Sequence, residues 1–138
     1  MVNRFNFRFW DKKNNYMFTQ SYNNHSRTKI KDFDYIFLDD GEATLANTLE
    51  NESGYELAVA PKDRYVIMQS TGLEDKNGKE IFEGDIVSIC GEQNQIVWDE
   101  EYAGFSIKDM KEEFYMTLKK GQPLEVIGNI YEGVNNDR

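Results

Sequence analysis

Between Ile86 and Tyr131 the chain is cut into five short apolar runs, and that rhythm constrains its fold more than any other feature. The runs are Ile86–Cys90, Gln95–Trp98, Gly104–Lys108, Phe114–Leu118 and Leu124–Tyr131. Each is short, carries β-branched or aromatic residues, and is bounded by turn-forming residues. The turns fall at Glu83-Gly84-Asp85, Gly91–Asn94, Asp99–Ala103, residues 109–113 and Lys119–Pro123. An amphipathic helix needs a longer uninterrupted stretch with a period of 3.6, which none of these runs offers. Five strands with tight turns predict a small closed or half-closed barrel. Gly128, inside the last run, marks a bulge or a close approach of backbone.

The first half reads less cleanly. Arg4–Trp10 alternates with period two, placing Phe5, Phe7 and Phe9 on one face and Arg4, Asn6 and Arg8 on the other, as in a half-buried strand. A polar turn, Asp11–Asn15, leads to a second strand over Tyr16–Gln20. Residues 21–34 show no period and read as loop; Tyr35–Leu38 reads as a strand. Residues 42–52 favour a short helix, with Leu45 and Leu49 one turn apart, although Asn and Thr weaken it. Tyr55–Ala60 is ambiguous, and Arg64–Ser70 reads as a strand. Asn77-Gly78 predicts a type I′ turn, since both residues tolerate positive φ. The fold class is therefore mainly β, with a minor α+β element: an N-terminal β-rich subdomain over residues 1–64 with at most one short helix, a barrel subdomain over 65–132, and a flexible tail over 133–138.

The chain has 138 residues, enough for a real core without staples. Aromatics make up 14% of it and supply much of the burial. Cys90 is the single cysteine, so no intrachain disulfide forms, which fits a reducing cytoplasm. No apolar run is long enough to span a bilayer, and Met1–Trp10 lacks the apolar core of a signal peptide. The expected location is the cytoplasm, with no membrane partner.

Net charge is −9, unevenly spread. Residues 1–31 hold seven basic side chains against one acid, whereas residues 72–138 hold seven bases against fifteen acids. Such a balance disfavours broad binding to nucleic acid or anionic membrane. The basic first segment is the exception. There Arg4, Arg8, Lys12 and Lys13 lie beside Trp10 and other aromatics, a mixture that can hold a single strand by stacking and phosphate contacts. Against this, strand geometry turns the phenylalanines away from the arginines and into a core.

The stretch Met68–Val87 (MQSTGLEDKNGKEIFEGDIV) resembles the hallmark of the YopX family of phage and prophage proteins. Three further pieces match in the same order: Phe7–Lys13 (FRFWDKK), Val97-Trp98-Asp99, and Glu125–Glu132 (EVIGNIYE). The resemblance implies a phage- or prophage-encoded protein with an SH3-like barrel in its C-terminal half. The family's function is unknown, so it brings no catalytic residue to transfer.

Within that motif Gly72, Asn77, Gly78, Gly84 and Asp85, with Gly128 further on, read as residues that shape backbone. Asp75, Glu83 and Asp85 are the residues a metal would use, but Gly84-Asp85 before Ile86-Val87 is what a turn into a barrel strand needs, and Asp85 can bond local backbone N–H groups. Asp75–Glu80 lacks the helix–loop–helix setting and the ligand count of a calcium loop. Cys90 continues an apolar run and reads as a small buried side chain; His25, the only histidine, sits in a polar loop, so the two make a poor nucleophile–base pair. The expectation is no catalytic site, no metal and no cofactor.

The leading functional expectation is a non-enzymatic accessory protein that binds other proteins, with homo-oligomerisation through strand edges and a host or phage protein as possible partners. The alternatives are a nucleic-acid binder using the basic-aromatic segment, or an acidic nucleic-acid mimic that blocks a host protein.

Overall fold

A computed structural model of the chain describes residues 6–19, 21–22, 28–29, 35–39, 42–59 and 64–134. The protein is mainly β, with no helix among the described residues. The chain divides into two compact units, Phe7–Ile67 and Met1–Asn6 with Met68–Arg138.

The unit Phe7–Ile67 begins with β1 (Phe7–Asp11) and β2 (Tyr16–Thr19), an antiparallel hairpin in which Phe9 faces Phe18. Phe9 is fully buried, with Phe7, Phe18, Tyr65 and Ile67 packed against it. The Phe9 and Phe18 rings stack at 5.1 Å, and Phe18 meets Tyr65 edge-on at 5.9 Å. Asp11 closes the hairpin turn. Its Oδ1 accepts the Lys13 and Asn14 N–H groups at 2.9 and 3.2 Å, and its Oδ2 takes Arg64 Nη2 at 3.2 Å.

The next strands are β3 (Ser21–Tyr22) and β4 (Thr28–Lys29), which pair within the region read as loop. Then come β5 (Tyr35–Asp39), β6 (Glu42–Asn51) and β7 (Gly54–Val59), an antiparallel meander. This corrects the helix expected over residues 42–52. The local preference was weak, and strands on both sides offer β6 backbone partners along its length, which outweighs a marginal propensity.

Strand β8 (Tyr65–Glu74) carries the chain into the second unit, where its last residues pair with β9 (Glu80–Phe82). The turn between them is not type I′. Among its residues only Gly78 has positive φ (82°), and Gly78 N–H donates to Asp75 O at 3.0 Å. This is a type I turn followed by a left-handed glycine, held open by the Asp75 side chain.

Five of the remaining strands follow the spacing read from the sequence: β10 (Asp85–Ile89), β11 (Glu92–Asp99), β12 (Gly104–Asp109), β13 (Tyr115–Thr117) and β14 (Glu125–Asn129). With β15 (Gly133–Val134) they form one curled, half-barrel sheet in the order β13-β12-β11-β10-β14-β15. Ile81, Val87, Ile96, Ile107, Leu124 and Val126 form its buried core. Each such side chain contributes about 1.5–3 kcal/mol through burial.

Two details differ from expectation. Cys90 is exposed, because Cys90-Gly91 is the two-residue turn between β10 and β11, with φ of 50° and 82°. The strand ends one residue earlier than its apolar run. Gly133–Val134, placed in the tail, pairs with β14 because Gly128 lets it approach. Ile127 is the extra residue of a bulge there, since Ile86 faces Gly128 while Val87 faces Val126.

Candidate interaction surface

The motif acids are engaged by backbone. Asp75 is buried; its Oδ1 accepts the Asn77 and Lys79 N–H groups, each at 2.9 Å, and its Oδ2 accepts Val126 N–H at 2.9 Å. Burial pushes this carboxyl up, but the N–H donors, Val126 foremost, outweigh that and hold it below its ordinary value. Asp85 is buried where β10 starts, and its Oδ2 accepts Phe82 N–H at 2.8 Å. Gly72, Gly78 and Gly84 all have φ between 78° and 88°. Among the described residues, no three His, Cys, Asp or Glu side chains gather closely enough to hold a metal ion.

The basic-aromatic segment is dispersed. Arg4 and His25 lie outside the described residues. Arg8 and Trp10 are 8% and 9% exposed, so neither presents a stacking or phosphate-binding surface. This departs from the half-buried strand expected there: alternation records which face prefers water, and here the polar face is covered too. Arg side chains tolerate this because their stems are apolar. Lys12 and Lys13 are exposed in the β1–β2 turn.

The most chemically distinctive surface lies at the turn Asp99–Ala103. A groove of about 520 Å³ opens beside the β11–β12 turn, lined by Trp98, Glu100, Glu101, Tyr102, Lys108 and Tyr115 among others. Trp98, Tyr102 and Tyr115 are 45%, 76% and 49% exposed. Ile96 and Trp98 share one face of β11, but Ile96 is buried in the core while Trp98, next to the strand's end, stands in solvent. Trp98 leans edge-on against Phe105 at 5.1 Å. Asp99 Oδ1 accepts the Glu101 and Tyr102 N–H groups at 2.9 and 3.4 Å, fixing the turn that carries Tyr102. Glu100 and Glu101 are exposed on it. Lys108 Nζ lies 5.8 Å from the centre of the Tyr115 ring, so one aromatic face here already meets a cation. The signal for this site was the pair Trp98 and Tyr102 flanking an acidic run.

A family model described as YopX protein matches residues 6–135. The chain belongs to the YopX family. Among solved structures, the crystal structure of protein EF1440 from Enterococcus faecalis is similar at 25% identity, covering 92% of this chain and 93% of that one, with a TM-score of 0.52. Comparison with curated proteins finds no match. In this YopX protein the motif Met68–Val87 builds the β8–β9 hairpin and the entry into β10. Among the described residues, no helix is long and apolar enough to cross a membrane.

Proposed function

We propose that this YopX protein is a phage- or prophage-encoded accessory protein of the host cytoplasm that acts by binding another protein, without catalysis. The observation that carries this reading is the groove in which Trp98, Tyr102 and Tyr115 stand exposed beside Glu100 and Glu101. Exposed aromatic side chains contribute large contact area at low entropic cost, and a neighbouring carboxylate rim favours a segment that carries Lys or Arg next to an apolar residue. The motif carboxylates support binding over chemistry, since Asp75 and Asp85 accept backbone N–H groups.

The nucleic-acid reading is weaker, because Arg8 and Trp10 are buried and the groove is acidic.

The test is capture from host cells by wild type and by the double variant Trp98→Ala/Tyr102→Ala. The partner is then purified and its affinity measured against both. Binding weakened more than about tenfold at an unchanged melting temperature supports the reading. Equal affinity for both proteins overturns it.

A further inference from the structure

Among the described residues, strand β13 is the last strand on its side of the half-barrel sheet. All three of its residues are exposed. Phe114, Tyr115 and Met116 are 59%, 49% and 39% exposed, so apolar side chains meet solvent on both faces of the strand. A two-sided apolar edge is a template for another strand, and proteins usually cover or charge such edges.

The hydrogen-bond pattern shows which groups face outward. Phe114 C=O accepts Asp109 N–H at 2.9 Å, and Leu118 N–H donates to Phe105 C=O at 3.2 Å. These even-numbered residues turn their backbone groups inward to β12, so by alternation Tyr115 and Thr117 turn theirs outward. Gln122 lies along this edge: its Nε2 donates to Thr117 C=O at 3.1 Å and its Oε1 accepts Lys119 N–H at 2.7 Å, so a pairing strand meets this exchangeable side-chain amide at Thr117 and Lys119.

The flanks supply the partner's identity. The chain reads Glu112-Glu113-Phe-Tyr-Met-Thr-Leu-Lys119-Lys120, an acidic pair before the strand and a basic pair after it. All four charged residues are exposed. An antiparallel copy of this segment, centred on Met116, sets Tyr115 opposite Thr117, which is the pairing the outward groups require. The same register brings Glu113 to Lys119 and places Glu112 near Lys120, twice over by symmetry. Centring on Tyr115 or Thr117 keeps the parity but loses this match of charges.

We infer that β13 pairs with β13 of a second copy of this chain, forming a two-fold dimer with a sheet continuous across both. The contact is isologous, so each copy supplies both an acidic and a basic end. It uses the backbone edge of β13, whose Tyr115 also borders the groove, and its test leaves Trp98 and Tyr102 in place, so the two readings fail separately.

Sedimentation over a range of concentrations tests it. Wild type is expected to form a salt-sensitive dimer at high micromolar concentration. Thr117→Pro removes an outward donor that is not needed within the sheet, and is expected to give a folded monomer. Lys119→Glu/Lys120→Glu, with acids at both ends, and Glu112→Lys/Glu113→Lys, with bases at both ends, are each expected to weaken association about tenfold or more. Mixing these two charge variants is expected to restore a dimer containing one of each. A monomeric wild type overturns the inference. So does a dimer that persists in the folded Thr117→Pro variant, or a mixture of the charge variants that fails to associate.

Discussion

Val126 donates its backbone N–H to Asp75 Oδ2 at 2.9 Å, across a sequence separation of 51. The other oxygen of the same carboxylate accepts two N–H groups of its own hairpin. One buried side chain thus ties the β8–β9 hairpin to β14, and Lys76 N–H reinforces the join by donating to Leu124 C=O at 3.0 Å. Asp75→Ala leaves the buried Val126 N–H without this acceptor. It is expected to lower the unfolding free energy by about 3 kcal/mol in urea titration, with Asp75→Asn losing less because it keeps one acceptor oxygen.

Acid sensitivity follows from two carboxylates. The buried Asp11 has its pKa lowered from 3.8 to about 2: burial pushes it up, and the Arg64 guanidinium and the turn N–H groups more than reverse this. Asp75 is lowered as well. A carboxyl that is more acidic in the folded state adds stability above its unfolded pKa and loses it as pH falls through the folded one. Thermal stability is therefore expected to hold down to about pH 4 and then drop toward pH 2. Asp11→Asn is expected to be less stable at neutral pH and to show a shallower acid limb in the same melting series.

Gly128 is held by close contact. A Cβ there would sit 2.7 Å from Val134 Cα and closer still to Gly133 O, both backbone atoms that have no easy way to move. Gly121 has a φ of 87° with open space around it. Gly128→Ala is accordingly expected to displace β15 and lower the melting temperature clearly. Gly121→Ala is expected to cost only about 1 kcal/mol of backbone strain.

Ile96 and Trp98 stand two residues apart on β11 with opposite fates. Ile96→Ala opens a cavity in the sheet core and is expected to cost about 2–5 kcal/mol. Trp98→Ala removes a half-exposed ring and is expected to leave unfolding in denaturant nearly unchanged, while its effect falls on binding.

The C-terminal half was legible because its strands are short, apolar and closed by glycines with one conformational purpose. Gly84 ahead of Asp85 marked a strand entry from local chemistry alone. The β6 region was not, since Leu45 and Leu49 fit a helix face equally well and the decision lay in pairing with β5 and β7. Cys90 misled for a related reason: an apolar run records what a core would accept, not where the turn falls. The Asp75–Val126 bond has no local signature, since a carboxylate that serves its own turn reads the same as one that also reaches β14. Trp98 and Tyr102 were visible as aromatics, but only the fold sets them around one groove with Tyr115.

Amide hydrogen exchange at Val126 asks most directly whether the acids of the family motif serve the backbone. The comparison is wild type against Asp75→Ala at neutral pH, with Ile96 in the core as the internal reference. Slow exchange at Val126 in wild type, sharply faster in the variant while Ile96 stays protected, is the predicted result. Val126 exchanging at the same rate in both proteins would contradict it.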